Sequence, residues 1–346
     1  MHTTGRSAAL FAPAYGNIAI RGLTAASAGF FATPPPGFAE TPLVTPRGNL
    51  MIGRADQLTQ LQVLRDEVAA LSGSEPEMLD YAAARKLVPV LREDYVAAGF
   101  HSAADLDLDV DAIHQGYMRR ARAAGAELLP DAPVVRLERV GDGWTVRTGG
   151  SEHRAAVVID AAGAWADVVA QMAGARPLGL VPKRRTAMLI PGPDGVDTRA
   201  WPAVMDIDEQ FYFKPQSGML LLSPADETPT VPHDAYADEM DIAVAVDRMQ
   251  QAADIPVHNV ARSWAGLRSF FADKTPAVGW DRDVPGFFWL AGQGGYGIQT
   301  SPAMGRLSAA LAAGESVPAD MIALGVDAEP LSPARAGLGA LLAASD

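Results

Sequence analysis

The chain has 346 residues, about two domains at roughly 150 residues each, and its 49% apolar and 20% charged content can bury a core. A balance of 28 basic to 41 acidic residues, net −13, argues against a nucleic-acid or anionic-membrane surface, and the lack of cysteine excludes disulfides, thiolate nucleophiles and zinc–thiolate or iron–sulfur sites. No apolar run reaches the ~18 residues of a spanning helix and no signal-peptide layout opens the chain, so a cytoplasmic protein, free or peripheral at a membrane, is expected.

Ile18, Ile20, Leu23, Ala26 and Phe30 space a helix over 17–31, stopped by Pro34-Pro35-Pro36-Gly37. Pro46-Arg47-Gly48-Asn49 turns into a strand over 50–52. Leu58, Leu61, Leu64, Val68 and Leu71 predict an amphipathic helix over 56–71. Further helices are expected over 77–87 and 107–124, the second ending in arginines that suit the helix dipole. A β-rich stretch follows at 127–129, 133–140, 144–148 and 155–160, with the hairpin turn Gly141-Asp142-Gly143 inside it. Short strands over 187–190, 203–206, 211–214 and 218–222 fit an antiparallel sheet. A helix over 235–253, an extended segment over 257–267, a strand over 286–291 and a helix over 301–313 follow. The Ala-, Gly-, Ser- and Pro-rich end after Asp327 reads as loose.

Three segments and a few side chains carry chemistry. Gly292-Gln293-Gly294-Gly295-Tyr296-Gly297 links an apolar strand to a helix. Its glycines allow close approach of a ligand, and free N–H groups at a helix start attract an anion, a phosphate or a reduced flavin ring. A turn needed only for tight strand-to-helix packing is the other reading, and both stay open; the spacing is read as not matching the Gly-x-Gly-x-x-Gly dinucleotide fingerprint, here or elsewhere in the chain. Asp160-Ala161-Ala162-Gly163-Ala164-Trp165 is a second such turn, which a close-packed crossover would also explain. His2-Thr3-Thr4-Gly5-Arg6-Ser7-Ala8-Ala9 is rich in donors. Arg185 stands in an apolar strand and Arg268 follows Trp264-Ala265-Gly266-Leu267; a guanidinium can bind a carboxylate through two parallel hydrogen bonds. Tyr212 could add a phenolic donor. The histidines lack ligand-like spacing, so no metal site is expected.

Together with Pro35-Pro36-Gly37-Phe38, His114-Gln115-Gly116-Tyr117, Pro182-Lys183-Arg184-Arg185 and Gln293 to Thr300, these segments resemble the FAD-dependent D-amino-acid oxidase superfamily, and within it the D-arginine dehydrogenases. The resemblance implies an α/β (α+β) fold: a doubly wound FAD domain of the glutathione-reductase type, lacking its first βαβ unit, and a substrate domain with a mixed or antiparallel sheet. The FAD domain is expected from 1–48, 104–177 and 276–327, the substrate domain from 49–103 and 178–275, with 328–346 as a loose tail. The resemblance further implies oxidative deamination of a D-amino acid, in amino-acid catabolism, by hydride transfer from Cα to flavin N5. Arg185 and Arg268 would hold the substrate carboxylate, Tyr212 would donate to it, Tyr15 would act as a lid, and the Gly295 carbonyl would accept from the amine. FAD would contact His2 to Ala9, Val135, Ala161, Gly163, Trp165, Gly294, Gly295, Tyr296, Gly297, Ile298 and Gln299. No residue is assigned as an acid–base catalyst, and the electron acceptor, quinone or oxygen, is left open.

Two departures bear on these expectations. The family's opening strand–GxGxxG–helix–strand has no counterpart, and a chain of only these 346 residues is expected to bind FAD weakly or not at all. Asn49 stands where D-arginine dehydrogenases carry an acidic residue, and Leu10 where they carry a histidine, which favours a neutral or apolar D-amino acid. The alternatives are an amine-oxidising relative of the glycine or sarcosine oxidase kind, or a non-catalytic remnant without FAD.

Overall fold

The computed structural model describes residues 3–72 and 75–339. Strand β1 (Leu10–Phe11) and helix α1 (Ile18–Ala32) open the chain, followed by β2 (Val44–Pro46), β3 (Asn49–Gly53) and α2 (Leu58–Ser72). Next come β4 (Glu77–Asp80), α3 (Tyr81–Leu87), β5 (Ala98–Ser102), β6 (Leu106–Leu108) and α4 (Val110–Ala123). Strands β7 (Val134–Val140), β8 (Gly143–Thr148) and β9 (Glu152–Ala155) form a meander, and β10 (Val158–Asp160) leads to α5 (Ala166–Met172). Strands β11 (Val181–Ile190), β12 (Ala203–Asp206), β13 (Tyr212–Gln216), β14 (Met219–Ser223) and β15 (Thr228–Pro229) precede α6 (Glu239–Ala252). Strands β16 (Arg262–Phe270), β17 (Ala277–Trp280) and β18 (Phe287–Ala291), then helices α7 (Ser301–Ala312) and α8 (Ala319–Ile322), complete it.

Two sheet-centred cores result, in a mixed α/β fold. The larger sheet runs β15-β11-β14-β13-β12-β3-β5-β4, with β16 on the other edge of β11. Its pairs are antiparallel except for β12 beside β3, so the sheet is mixed. Phe211, Phe213, Leu220, Leu222, Met188 and Ile190 are buried on one face together with Ala245 and Met249 of α6. The smaller sheet pairs β10 with β18 in parallel and β17 with β18 antiparallel. Period-two alternation sends Phe288 and Val278 to Leu23 of α1 and Leu307 of α7, and Phe287 and Trp289 to Ala166 and Ala170 of α5. Layers therefore cover both faces, as a doubly wound sheet requires.

Local signals set the helix limits. The Asn17 side chain accepts from the Ile20 N–H at 3.1 Å to cap α1, and Pro34 to Pro36 follow its end. The expected helix over 77–87 is split: Glu77 to Asp80 pair with β5, and the Asp80 carboxylate then caps α3 by accepting from Ala83 N at 2.7 Å. In the same way β6 occupies the start of the expected 107–124 helix, and Asp109 caps α4 at Ala112 N. Residues 127–129 form no strand, and Leu128 and Leu129 are exposed. The segment up to residue 339 is packed rather than loose: Leu331 and Leu338 are buried, and Arg335 pairs with Asp273 at 2.7 Å.

Candidate active site

Sheet register places the two arginines. Across β11 and β16, Arg185 lies opposite Gly266 and Lys183 opposite Arg268. Arg268 is two residues from Gly266, so it shares a face with Arg185 as its diagonal neighbour. Both line a cavity of about 680 Å³ between the larger sheet and the turns that follow β10 and β18. Their partners differ. Arg185 is 12% exposed and donates through Nε to the Asp226 carbonyl at 2.7 Å and through Nη2 to Glu227 at 3.3 Å. Arg268 donates to the Tyr15 hydroxyl, and no carboxylate among the described residues forms an ion pair with it. The Glu227 charge reaches it from beyond contact, and a cavity-wall cation with no ion-paired carboxylate is a ready anion site. Tyr212, whose field also acts on Arg268, lines the same cavity.

The glycine turn after β18 lies against these groups. By spacing, Gly292, Gly294 and Gly297 do satisfy Gly-x-Gly-x-x-Gly, which corrects the expectation that no such pattern is present. Packing accounts for them. A Cβ on Gly292 would lie 2.5 Å from the Phe271 ring and one on Gly294, at φ +53°, 2.3 Å from the Phe270 ring. The helix starts only at Ser301, with nine residues between it and the end of β18, so this is not the abrupt strand-to-helix turn that cradles a pyrophosphate. A Cβ on Gly295 would meet Arg268 Nη1 at 2.9 Å and the Tyr15 hydroxyl at 3.3 Å, so only glycine lets the turn sit on that guanidinium. The Tyr15 and Tyr296 rings are tilted against each other with centroids 4.9 Å apart. Tyr15 is 41% exposed at the cavity wall; Tyr296 is buried with Ile20 and Phe270 outside the lining. Gly295, Gly297 and Ile298 present backbone N–H groups at the wall that donate to no acceptor among the described residues.

The N-terminal segment closes one side. Thr3, Thr4, Arg6, Ser7, Ala8 and Ala9 line the cavity, while Gly5 sits in a 3-10 turn outside it. Arg6 is a clamp: it donates to the Ala235 and Ala265 carbonyls and pairs with Asp234 at 2.6 Å, and Trp264 Nε1 donates to the Arg6 carbonyl. His2 lies outside the described residues. Ala161 and Gly163 line the cavity, and the Cβ direction of Gly163, at φ +59°, is open. Trp165 instead packs with Ala164, Ala235 and Leu267. Val135 on β7 is 56% exposed and also outside the lining. Gln299 is at the wall but its side chain is engaged, accepting from Ala12 N and donating to Thr24. The motifs at 35–38 and 114–117 meet each other: Phe38 packs on Tyr117, and a Cβ on Gly116 would strike the Phe38 ring at 2.5 Å.

The far wall joins Asn49, singled out in the sequence, to two groups that sequence reasoning misses, Ser102 and Asp105. Asn49 on β3 lies opposite Ser102 on β5, and both line the cavity with Asp105. Asp105 is 6% exposed and accepts from Ser102 Oγ at 3.3 Å. Burial pushes its carboxyl up to about 6, against the hydrogen bonds from Ser102 and Asn49. The alternating Asp105-Leu106-Asp107-Leu108-Asp109 is the signal that could have shown a strand edge there.

A mixed sheet facing a doubly wound core, with glycine turns and an arginine free of ion pairs between them, is the architecture of a flavoprotein oxidoreductase. The family model DAO, FAD dependent oxidoreductase, matches residues 1–311, and the chain belongs to that family. Glycine oxidase from Geobacillus kaustophilus superposes with a TM-score of 0.82 at 20% identity, over 96% of this chain and 89% of that one. Iminodiacetate oxidase from Chelativorans sp. BNC1 gives 0.81 at 20% identity, over 95% and 89%. In sequence, the chain is 26% identical over 255 residues to human mitochondrial dimethylglycine dehydrogenase, covering 67% of this chain and 28% of that protein. It is 23% identical over 239 residues to glycine oxidase of Bacillus subtilis, covering 67% and 62%. The chain thus spans about a quarter of the length of the first and less than two thirds of the second.

The residues present fit the ring end of FAD. Free N–H groups of Gly295, Gly297 and Ile298, near the start of a 12-residue helix, suit the electron-rich edge of an isoalloxazine, and the open space over Gly163 leaves room for it. The turn after β18 is not open in the way a pyrophosphate needs, because the glycines at 292 and 294 are covered by phenylalanine rings. Among the described residues, no helix is long and apolar enough to cross a membrane.

Proposed function

We propose that the chain oxidises a D-amino acid to its imino acid, which water then hydrolyses to a 2-oxo acid and ammonia. FAD, when bound, supplies the acceptor for the hydride that leaves Cα. The protein's part is binding and orientation, which can supply several kcal/mol of the barrier. The observation that carries this reading is Arg268: a cation at the cavity wall beside Tyr15 and Gly295, without a carboxylate of its own. It pairs with the substrate carboxylate. Tyr212 donates to the same group, and Arg185, anchored on Glu227, adds positive field. Tyr15 covers the bound molecule, and the Gly295 carbonyl accepts from the amine. No general base is required if the amine enters unprotonated, and none is assigned.

A second reading, oxidation of glycine or an N-methyl amino acid, is favoured by the likeness to glycine oxidase and dimethylglycine dehydrogenase. The two are separated by loading the protein with FAD and following anaerobic bleaching of the flavin absorbance. Bleaching by D- but not L-alanine and leucine supports the first reading; bleaching by glycine and sarcosine, with neither enantiomer preferred, supports the second. A flavin that none of these compounds, nor D-arginine or D-lysine, bleaches defeats both.

A further inference from the structure

We propose that Asp105 recognises the far end of the substrate, which makes an amino acid with a basic side chain the preferred one. This assignment rests on the amino-acid reading above and names the substrate class for the same cavity. Two findings separate Asp105 from an ordinary buried acid. First, no cation among the described residues pairs with it. The nearby Arg47 and Lys214 are both committed to Asp107, at 2.6 and 2.5 Å. Only neutral donors, Ser102 and the Asn49 amide, reach Asp105. Second, the site is held in place and retains an unused acceptor. The Asp105 carbonyl accepts from the Arg47 and Gly48 N–H groups, which fixes the loop, and Asn49 Oδ1 is buried without a partner.

A buried carboxyl facing only neutral donors holds its proton more tightly than a solvated one, as its upward displacement to about 6 shows. An ammonium or guanidinium entering the cavity supplies the missing charge and stabilises the carboxylate. Asn49 Oδ1 would take a further N–H. The wall leading there suits a methylene stem. Tyr212 aligns with Met205, Met205 with Met51 and Met51 with Phe100 across β13, β12, β3 and β5. Met51, Phe100 and Met205 all line the cavity, and such apolar surface packs the stem of a long basic side chain while its head stays paired. The cavity is therefore cationic at Arg268 and anionic at Asp105. Asn49 alone favours a neutral side chain; Asp105, held by Ser102, which β5 sets opposite Asn49, reverses that expectation.

The test is calorimetric binding of D-arginine, D-lysine and D-norleucine to the full chain and to Asp105→Asn, at pH 7.5, with turnover to an artificial dye measured where FAD is loaded. The expected result is at least tenfold tighter binding of the two basic amino acids by the wild type, with that preference lost in Asp105→Asn and D-norleucine unchanged. A wild-type ratio near one overturns the assignment by itself, so the test holds even if the variant does not fold. A basic preference that survives Asp105→Asn also overturns it. If D-norleucine binds normally in either failure, the amino-acid reading stands without Asp105; if none of the three binds, that reading falls and takes the assignment with it.

Discussion

Arg185 and Arg268 stand on adjacent antiparallel strands, on the same face and two residue pairs apart, yet only one of them is free to meet an anion. Glu227 and the Asp226 carbonyl hold Arg185. Arg268 has a phenol and the underside of a glycine turn. Arg268→Met removes the carboxylate's charged partner within the cavity and should lower kcat/KM by at least about 100-fold, about 3–5 kcal/mol. Steady-state kinetics on the FAD-loaded protein check this, and an unchanged kcat/KM would refute the role.

Arg185→Met should act differently, since the arginine's donors already serve the fold. Its loss leaves Glu227 with Lys183 alone, at 2.8 Å, and the Asp226 carbonyl without its donor. The expected outcome is a stability loss of about 1–2 kcal/mol and a smaller effect on kcat/KM than Arg268→Met. Thermal melts beside kinetics decide it. A variant with unaltered melting but a loss of turnover equal to that of Arg268→Met would show that both arginines grip the substrate alike.

Two glycines with similar positive φ separate packing from ligand approach. At Gly294 an added Cβ meets the buried Phe270 ring, so Gly294→Ala combines left-handed strain with overpacking and should cost more than about 2 kcal/mol. At Gly163 nothing lies within 4 Å of the Cβ, so Gly163→Ala should cost only about 1–2 kcal/mol from φ. Gly163 lines the cavity, however, so the added methyl should weaken FAD binding. Melting temperatures and a flavin titration of both variants test the contrast; equal melting losses would contradict it.

The parts of the site legible in the sequence are those that local rules specify. A period of two along β11 puts Arg185 on a defined face, glycines mark the turn over Arg268, and Asn17 and the prolines bound α1. What escapes is set by partners far along the chain. Arg6 reads as a free donor until Asp234, 228 positions away, is seen to hold it. Asp105 lies in an acidic run that resembles a solvated helix start, and only pairing of β3 with β5 and of β2 with β6 turns it into a cavity wall. Glu77 to Asp80 look helical because Leu79 suits either period, and the edge of β5 decides for a strand. The glycine spacing at 292–297 needs the opposite caution: the pattern is present, but phenylalanine rings occupy the space a phosphate would need.

Asp160 offers a measure of the core on which the second glycine turn rests. It is 2% exposed; Oδ1 accepts from Ala162 N at 3.1 Å, while Oδ2 is buried without a partner. Burial pushes its carboxyl up to about 7, the Ala162 hydrogen bond opposes this, and the Asp167 charge adds to it. The folded state therefore binds a proton more tightly than the unfolded chain, whose carboxyl titrates near 4. From the linkage relation, stability falls as pH rises between about 4 and 7, by about 4 kcal/mol for this group, and levels off above. Asp160→Asn keeps the acceptor for Ala162 N and removes the charge. It should leave the protein nearly unaltered at pH 4.5, make it more stable than the wild type at pH 8, and flatten the dependence between them. Chemical denaturation at the two pH values measures this, and a variant that is destabilised equally at both would show that the carboxylate has a partner at neutral pH after all.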